Sequence, residues 1–186
     1  MRITGGEARG RRLRAPRSGR VRPTADKVRQ AVFNILEARY PIESTRLLDL
    51  FAGSGALGLD ALSRGAAHVV FVEQNAAACG TIRANLERSG FGPRARVIRG
   101  DLPRALRTVA AAEPYDGAFL DPPYGRDLCD ATLRELGDGR WLSSGAWVVA
   151  EHAKEDAVED GYGGLHRKML RSYGHTAISL FTFDGG

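Results

Sequence analysis

The strongest constraint on the fold is a regular alternation of apolar runs and amphipathic segments from Arg46 onward. The runs RLLDLF, HVVFVE, ARVIRGD, GAFLDPPY and AWVVAEH are typical of strands, and helix-like segments separate them. Such alternation indicates a parallel sheet, because each new parallel strand needs a crossover helix. Two final runs, HRKMLRSYG and HTAISLFTF, predict a closing antiparallel pair. We therefore expect an α/β fold with a mostly parallel seven-stranded sheet and helices on both faces.

The chain before this alternation divides into two parts. The first residues, MRITGGEARGRRLRAP, place glycines between short runs and predict a small β-hairpin or a flexible arm. The next stretch, TADKVRQAVFNILEARY, has apolar residues at helical spacing, with Thr24 as its expected N-cap. We therefore assign residues 1–22 to a basic N-terminal arm and residues 23–186 to one domain, since 186 residues suit a single core.

Positive charge is concentrated at this end of the chain. Residues 1–30 contain ten Arg or Lys and two acids, a net charge of +8, whereas the whole chain carries +5. Nearly all of these cations are arginines, whose guanidinium groups bind phosphates in pairs of hydrogen bonds and stack on bases. The sequence therefore predicts an anionic polymer as partner, although a solvated tail or a compositional bias would give the same count.

A glycine-rich loop follows the first expected strand. In DLFAGSGALG the residues Gly53, Gly55 and Gly58 fit the spacing G-x-G-x-x-G, with a strand before them and a helix after them. This context predicts a Rossmann-like nucleotide site, and it fits both nicotinamide dinucleotides and S-adenosylmethionine. A tight strand-to-helix turn without a ligand would also need glycines.

Three acids at the ends of successive strands favour S-adenosylmethionine. Asp49 lies within the first strand, where a pyrophosphate has no use for a carboxylate but a methionine ammonium group needs one. Glu73 can hold both ribose hydroxyls, and Asp101 can accept a hydrogen bond from an adenine amino group. A role as a helix cap remains open for Asp101.

The DPPY sequence ends the fourth expected strand beside the same crevice. An exocyclic base amine is a poor nucleophile, so two acceptors aimed at its hydrogens would assist methyl transfer. Asp121 supplies a carboxylate, and the backbone carbonyl of Pro122 is held rigidly because prolines fix φ. Tyr124 offers a face on which a base can stack. The alternative is a simple turn after a strand.

These motifs resemble those of a known group of enzymes. DPPY after strand four, with DLFAGSG after strand one, resembles the amino-methyltransferases that modify adenine N6, cytosine N4 or guanine N2. The stretches ITGGEARGRRLRAP and RPTADKVRQAVFNIL are similar to those of the bacterial 16S ribosomal RNA guanine-N2 methyltransferases, methyltransferase D of the small subunit. The resemblance runs from Arg2 to about Gly125, and loosely beyond.

The resemblance implies specific roles for residues of this chain. It implies a target-base site at Asp121, Pro122, Pro123 and Tyr124. It implies that the arm grips RNA phosphates through Arg9, Arg11, Arg12, Arg14, Arg20 and Arg22. The S-adenosylmethionine site that it implies comprises Thr24, Asp49, Phe51, Ala52, Gly53, Ser54, Gly55, Glu73, Gln74, Asp101 and Leu102. It also implies a guanine-966-type site in 16S ribosomal RNA of the small subunit.

Other sequence features predict the cellular compartment and exclude some kinds of partner. No apolar run is long enough for a membrane span, and we expect no membrane partner. Two distant cysteines favour a reducing cytoplasm, and four scattered histidines predict no metal site. We expect a monomer.

Three alternatives remain on the sequence alone. The first is a DNA or RNA adenine-N6 or cytosine-N4 amino-methyltransferase, although 186 residues leave little room for a target-recognition insertion. The second is a nucleotide-dependent oxidoreductase, which would leave DPPY and the arginines without roles. The third is a non-catalytic RNA-binding or assembly factor.

Overall fold

The structure, a computed structural model, describes residues 1–15, 23–109, 114–125, 127–138 and 140–185, without the side chains of residues 23–25. Helices and strands alternate through most of it. The helices are α1 (Pro23–Glu37), α2 (Ala56–Ser63), α3 (Ala76–Ser89) and α4 (Leu128–Leu136). The strands are β1 (Arg46–Leu50), β2 (His68–Glu73), β3 (Ala95–Arg99), β4 (Tyr115–Leu120), β5 (Leu142–Ala153), β6 (Gly161–Tyr162), β7 (Leu165–Tyr173) and β8 (Thr176–Phe183).

All the strands form one sheet in the order β3-β2-β1-β4-β5-β8-β7-β6. The first five strands in this order run parallel, and β8 pairs antiparallel with both β5 and β7. This arrangement confirms the expected α/β fold with its closing antiparallel pair. The carboxyl ends of β1, β2, β3 and β4 therefore meet at one edge of the sheet, where ligands bind in open α/β sheets.

Two apolar cores cover the two faces of the sheet. On one face α1, α2 and α3 pack through residues such as Phe33, Leu62 and Ile82. On the other face α4 and the segment after β3 pack through residues such as Leu106 and Leu133. Helices on both faces are thus confirmed. In the described part of the chain, no helix is both long and apolar enough to cross a bilayer.

Three details differ from the sequence-based expectations. The sheet has eight strands rather than seven, because the two-residue β6 adds to its edge. The segment after β3 forms a short 3₁₀ helix, Arg104–Thr108, where a longer helix was expected. Helix α1 begins at Pro23, so Thr24 lies inside the helix rather than capping it; proline suits a first helical turn because its fixed φ matches the helix.

Residues 1–15 lie against the domain and bury apolar side chains in its core. Arg2 and Arg12 form an antiparallel bridge, and Ile3 and Leu13 are buried. The carboxylate of Asp60, on α2, accepts hydrogen bonds from the arm, among them one from the Thr4 amide at 2.7 Å. The arm is therefore an ordered part of the fold over the described residues 1–15.

A buried charge cluster holds this contact together. Asp60 is fully buried and pairs with Arg29 of α1 at 2.6 Å and with Arg64 at 2.8 Å. Arg29 also donates to the Arg2 carbonyl, and Arg64 donates to the Thr4 hydroxyl. A buried carboxylate needs such partners, because burial without them is costly. One acid thus joins α1, α2 and the arm.

Candidate active site

The loop from Phe51 to Gly55 connects β1 to α2 through several left-handed residues. Phe51, Gly53 and Gly55 have φ values of 61°, 55° and 77°. The Ala52 amide donates to the Val72 carbonyl, which fixes the loop beside the end of β2. A left-handed conformation is strained for a residue with a side chain, so Phe51 is the unusual member of the loop.

The three motif glycines serve different purposes. A Cβ on Gly58 would lie 2.4 Å from the Phe71 ring, and one on Gly55 would lie 3.2 Å from the same ring. Packing against Phe71 therefore accounts for Gly58, whereas Gly55 is also required by its left-handed φ. A Cβ on Gly53 would meet nothing closer than the Phe51 carbonyl at 3.9 Å. Gly53 thus presents open backbone, and its neighbour Ser54 is partly exposed beside it.

Asp49 lies almost fully buried beneath this loop. Its Oδ2 accepts a hydrogen bond of 2.8 Å from the Gly58 amide in the first turn of α2. Burial raises the pKa of Asp49 to about 8, and the nearby carboxylates of Asp121 and Glu73 add to the rise, although the Gly58 hydrogen bond opposes it. Three acids from β1, β2 and the end of β4 therefore converge.

Glu73 ends β2 and links it to the loop. Its Oε2 accepts from the Gly53 amide at 2.8 Å, and its Oε1 accepts from the Asn75 amide at 2.7 Å. Asn75 in turn caps α3 by accepting from the amides of Ala77 and Ala78. The Glu73 carboxylate is thus fixed where β2 ends, and Gln74 beside it is exposed.

The segment after β3 brings a third strand end to the site. The Gly100 amide donates to the Glu73 carbonyl at 3.1 Å, so Asp101 is one residue removed from this contact. The Asp101 side chain is exposed, whereas Leu102 is buried. The Ala105 amide donates a hydrogen bond to the Asp101 backbone carbonyl. This turn is therefore closed by the backbone and not by the Asp101 carboxylate.

The DPPY segment leaves the sheet directly beside the glycine loop. Strand β4 ends at Leu120, and the Asp121 amide approaches the Leu50 carbonyl of β1 at 3.4 Å. Pro122 is buried, while Asp121 and Pro123 are exposed. The Asp121 side chain is therefore accessible, while Pro122 next to it is packed.

Tyr124 is a large aromatic side chain at the mouth of the cleft, with 37% of its surface exposed. Its hydroxyl donates to Glu151 at 3.2 Å and is 2.9 Å from the Thr176 hydroxyl. Partial burial raises its pKa to about 12, with Glu151 adding to the rise, so the phenol stays neutral. Glu151 and Thr176 are site residues that sequence reasoning missed.

The arginines predicted to bind RNA are only partly described. Arg9, Arg11, Arg12 and Arg14 have exposed side chains, and Arg11 donates to the Arg88 carbonyl of α3 at 2.9 Å. Arg20, Arg22 and the side chain of Thr24 lie outside the described residues.

Asn85 connects the arm to the glycine loop. Its Oδ1 accepts from the Arg14 amide at 2.8 Å, and its Nδ2 donates to the carbonyls of Arg14 and Ser54. Asn85 is buried, so both polar ends of the amide need these partners. No sequence pattern predicted this contact, because Asn85 lies inside α3 and outside every motif.

The donor set of the cleft fits S-adenosylmethionine. Burial raises the pKa of Asp49, the carboxylates of Asp121 and Glu73 raise it further, and a cation placed among the three acids would relieve their repulsion. The open backbone of Gly53 and the fixed carboxylate of Glu73 lie along the same edge. Residues suited to a cation and to ribose hydroxyls are therefore adjacent.

Comparisons with known proteins identify the family. The family model described as conserved hypothetical protein 95 matches residues 1–182. YlbH of Bacillus subtilis is 37% identical over 186 residues, covering 100% of both chains. Ribosomal RNA small subunit methyltransferase D of Escherichia coli is 39% identical over 183 residues, covering 97% of this chain and 89% of the relative. The solved structure of yhhF from Escherichia coli, 35% identical, superposes with a TM-score of 0.84 over 100% of this chain and 99% of that one.

The fold, the site and these relatives agree on the methyl donor, which is S-adenosylmethionine. The chain therefore belongs to the conserved hypothetical protein 95 family, and it is similar over nearly its whole length to methyltransferase D of the small ribosomal subunit.

Proposed function

We propose that this protein methylates the exocyclic N2 of a guanine in 16S ribosomal RNA of the small subunit, at a guanine-966-type site. The name of the Escherichia coli relative supports ribosomal RNA as the substrate class. The choice of guanine N2 rests on the resemblance of the DPPY and arm motifs. One observation carries the proposal: the DPPY corner and the acid-lined loop leave neighbouring strands, β4 and β1, beside each other.

The chain's own groups have a clear task in this reaction. When bound, S-adenosylmethionine supplies an electrophilic methyl group. Asp121 and the Pro122 carbonyl accept the two amine hydrogens, which orients the nitrogen lone pair towards the donor. Catalysis then depends on alignment and on fixed acceptors, with no covalent enzyme intermediate.

Tyr124 is suited to hold the target base. Its ring is exposed while its hydroxyl is anchored to Glu151 and Thr176, so the ring has a fixed plane. A base can stack on either face of such a ring, because all bases present a π-face. A base stacked on the anchored ring is thus held in one plane, and in that plane its amine hydrogens can point at Asp121.

Access to N2 sets a condition on the RNA. The N2 amine lies on the Watson–Crick edge, so the target guanine must be unpaired or extruded before it reaches Asp121. RNA is read mainly at loops and splayed bases. The basic arm would bind phosphates around such a site, and we infer a small subunit, assembling or assembled, as the natural substrate.

The decisive experiment follows tritium from labelled S-adenosylmethionine into RNA. Small subunits from a strain lacking this gene and naked 16S RNA serve as substrates, and the labelled nucleoside is identified after digestion. We expect N2-methylguanosine on the particle. Asp121→Ala, the matched control, should bind the donor and transfer no label.

Other outcomes would contradict the proposal in distinct ways. Label in N6-methyladenosine or N4-methylcytidine would preserve the chemistry and overturn the guanine assignment. Absence of label in either RNA, with donor binding intact, would overturn ribosomal RNA as the substrate.

A further inference from the structure

The outer face of α3 and the edge strand β3 carry a second concentration of arginines. Residues 83–99 contain five arginines and one acid, Glu87, a net charge of +4. Outside residues 1–30 and this segment the chain carries a net −7. Residues 83–99 are therefore a second basic segment besides the N-terminal one, and nothing in the cofactor site uses their charge.

One of these arginines, Arg83, lines a groove between α3 and β3. The groove has a volume of about 440 Å³, and its lining also includes Leu86, Glu87, Pro93 and Val97. We call the groove and the arginines around it, Arg83, Arg88, Arg94 and Arg99, the edge surface. At its upper end Arg99 donates to the Gln74 carbonyl, directly beside Glu73.

The edge surface is continuous with the arm. Arg11 donates to the Arg88 carbonyl at 2.9 Å, and Arg94 pairs with Glu7 at 2.6 Å. The Arg14 amide is bound to Asn85 on the same helix. The arm and the second basic segment, joined by contacts across 71 to 87 residues of sequence, thus form one surface that reaches the end of β2.

Guanidinium groups without an acidic partner indicate an anionic ligand, and here Arg83 and Arg99 donate to the backbone carbonyls of Val97 and Gln74. In the described part of the chain, Arg83, Arg88 and Arg99 form no ion pair with a carboxylate, and all three side chains are exposed. Charges on an edge strand also prevent pairing with other strands. That explanation does not extend to Arg83 and Arg88, since they lie on a helix.

We propose that the edge surface binds the RNA sugar–phosphate backbone and extends the RNA contact of the arm past the cofactor cleft. Guanidinium forks match phosphate oxygens, and the apolar floor of the groove suits ribose and base edges rather than a protein helix ringed by acids. This inference rests on the proposed function, because it takes the RNA of that reaction as the ligand.

The test uses Arg83→Gln with Arg88→Gln, since glutamine keeps helix propensity and removes two charges. Arg107→Gln with Arg140→Gln is the matched control, because both arginines are exposed and flank the opposite face.

Binding to small subunits lacking the modification is measured from about 50 to 200 mM salt. We expect at least about a fivefold loss of affinity at low salt for the edge variant, and a salt slope smaller by roughly 2. The control should match the wild type, and donor affinity should be unchanged in both.

A photo-crosslinking side chain in place of Arg88 identifies the partner directly. An RNA adduct supports the proposal, and an adduct with a ribosomal protein overturns it in favour of a protein contact. Suppose that the wild type methylates the particle and the edge variant keeps the affinity and the salt slope of the wild type. That result would overturn RNA binding by the edge surface and leave the proposed function intact. A wild type that methylates no ribosomal RNA would overturn the proposed function instead.

Discussion

Asp49 is the residue whose chemistry the fold changes most. Its pKa is raised to about 8, first by burial and then by the nearby Asp121 and Glu73 carboxylates. Below that pH the carboxyl of the free protein is mainly protonated. A cationic ligand bound beside it favours the charged form, so binding must release a proton.

This linkage predicts pH-dependent affinity for S-adenosylmethionine. Affinity should increase as the pH rises from about 6 towards 8 and level off above, because less proton release is then required. Calorimetry in two buffers of different ionisation enthalpy measures the released proton. Asp49→Asn should flatten the profile, whereas Asp116→Asn, which alters another strand-associated acid, should leave it unchanged. A flat wild-type profile without proton release would show that Asp49 does not face the cation.

Variants of Tyr124 can separate two contributions to transfer: stacking of the ring on the base, and orientation of the ring by its hydroxyl contacts. Tyr124→Phe keeps the ring and loses both hydroxyl contacts, so we expect single-turnover transfer to slow by about three- to tenfold, as for one or two net hydrogen bonds. Tyr124→Ala should lose far more, because stacking is lost as well. Thr176→Val removes one of the two hydroxyl contacts, so it should slow transfer less than Tyr124→Phe does. A Phe variant as fast as the wild type would mean that packing alone orients the ring.

At the scale of elements, the contact between the arm, α1 and α2 depends on one carboxylate. Asp60→Ala would leave the guanidinium groups of Arg29 and Arg64 buried without their anion. We expect a loss of about 3–5 kcal/mol in the free energy of unfolding, the usual effect of breaking a buried pair. Urea unfolding followed by tryptophan fluorescence measures it.

Glu37→Gln is the control for that prediction, since Glu37 pairs with the same Arg64 at 2.7 Å but is half exposed. Exposed pairs contribute about 0–1 kcal/mol, so this variant should unfold near the wild-type midpoint. Equal losses in the two variants would mean that burial of Asp60 adds nothing to the pairing.

The sequence predicted most elements because their patterns are local. Apolar runs located five strands of the parallel part of the sheet. The segment after β3 forms a five-residue 3₁₀ helix, and over so few residues the apolar spacing does not separate a 3₁₀ helix from an α-helix. Strand β6 has two residues, too few to carry a pattern.

The sequence predicts side chains that meet because they lie at strand ends, and it does not predict contacts that depend on the order of strands in the sheet. Asp49 and Glu73 follow from the position of acids in successive strands. Glu151 and Thr176 lie 27 and 52 residues from Tyr124, and they reach it only because β8 inserts beside β5. No short stretch of sequence contains that information.

At the scale of the whole molecule, donor binding should stabilise the fold. A ligand at 100 times its Kd adds about 2.7 kcal/mol, which for a chain of this size raises Tm by roughly 5–10 °C. We expect this shift with S-adenosylmethionine and none with NADH, because no pyrophosphate would find a partner among the acids of the cleft. Differential scanning fluorimetry measures both. A shift with NADH would revive the oxidoreductase alternative.

Asn85 couples the arm to the glycine loop. One amide group holds both the backbone of the arm and the backbone of the glycine loop. A ligand that favours one arrangement of the arm must then favour a matching arrangement of the loop, and the effect is reciprocal by thermodynamic necessity. If the arm binds RNA as proposed, RNA and donor would thus change each other's affinity by the same factor, and binding of either one measured with and without the other gives that factor.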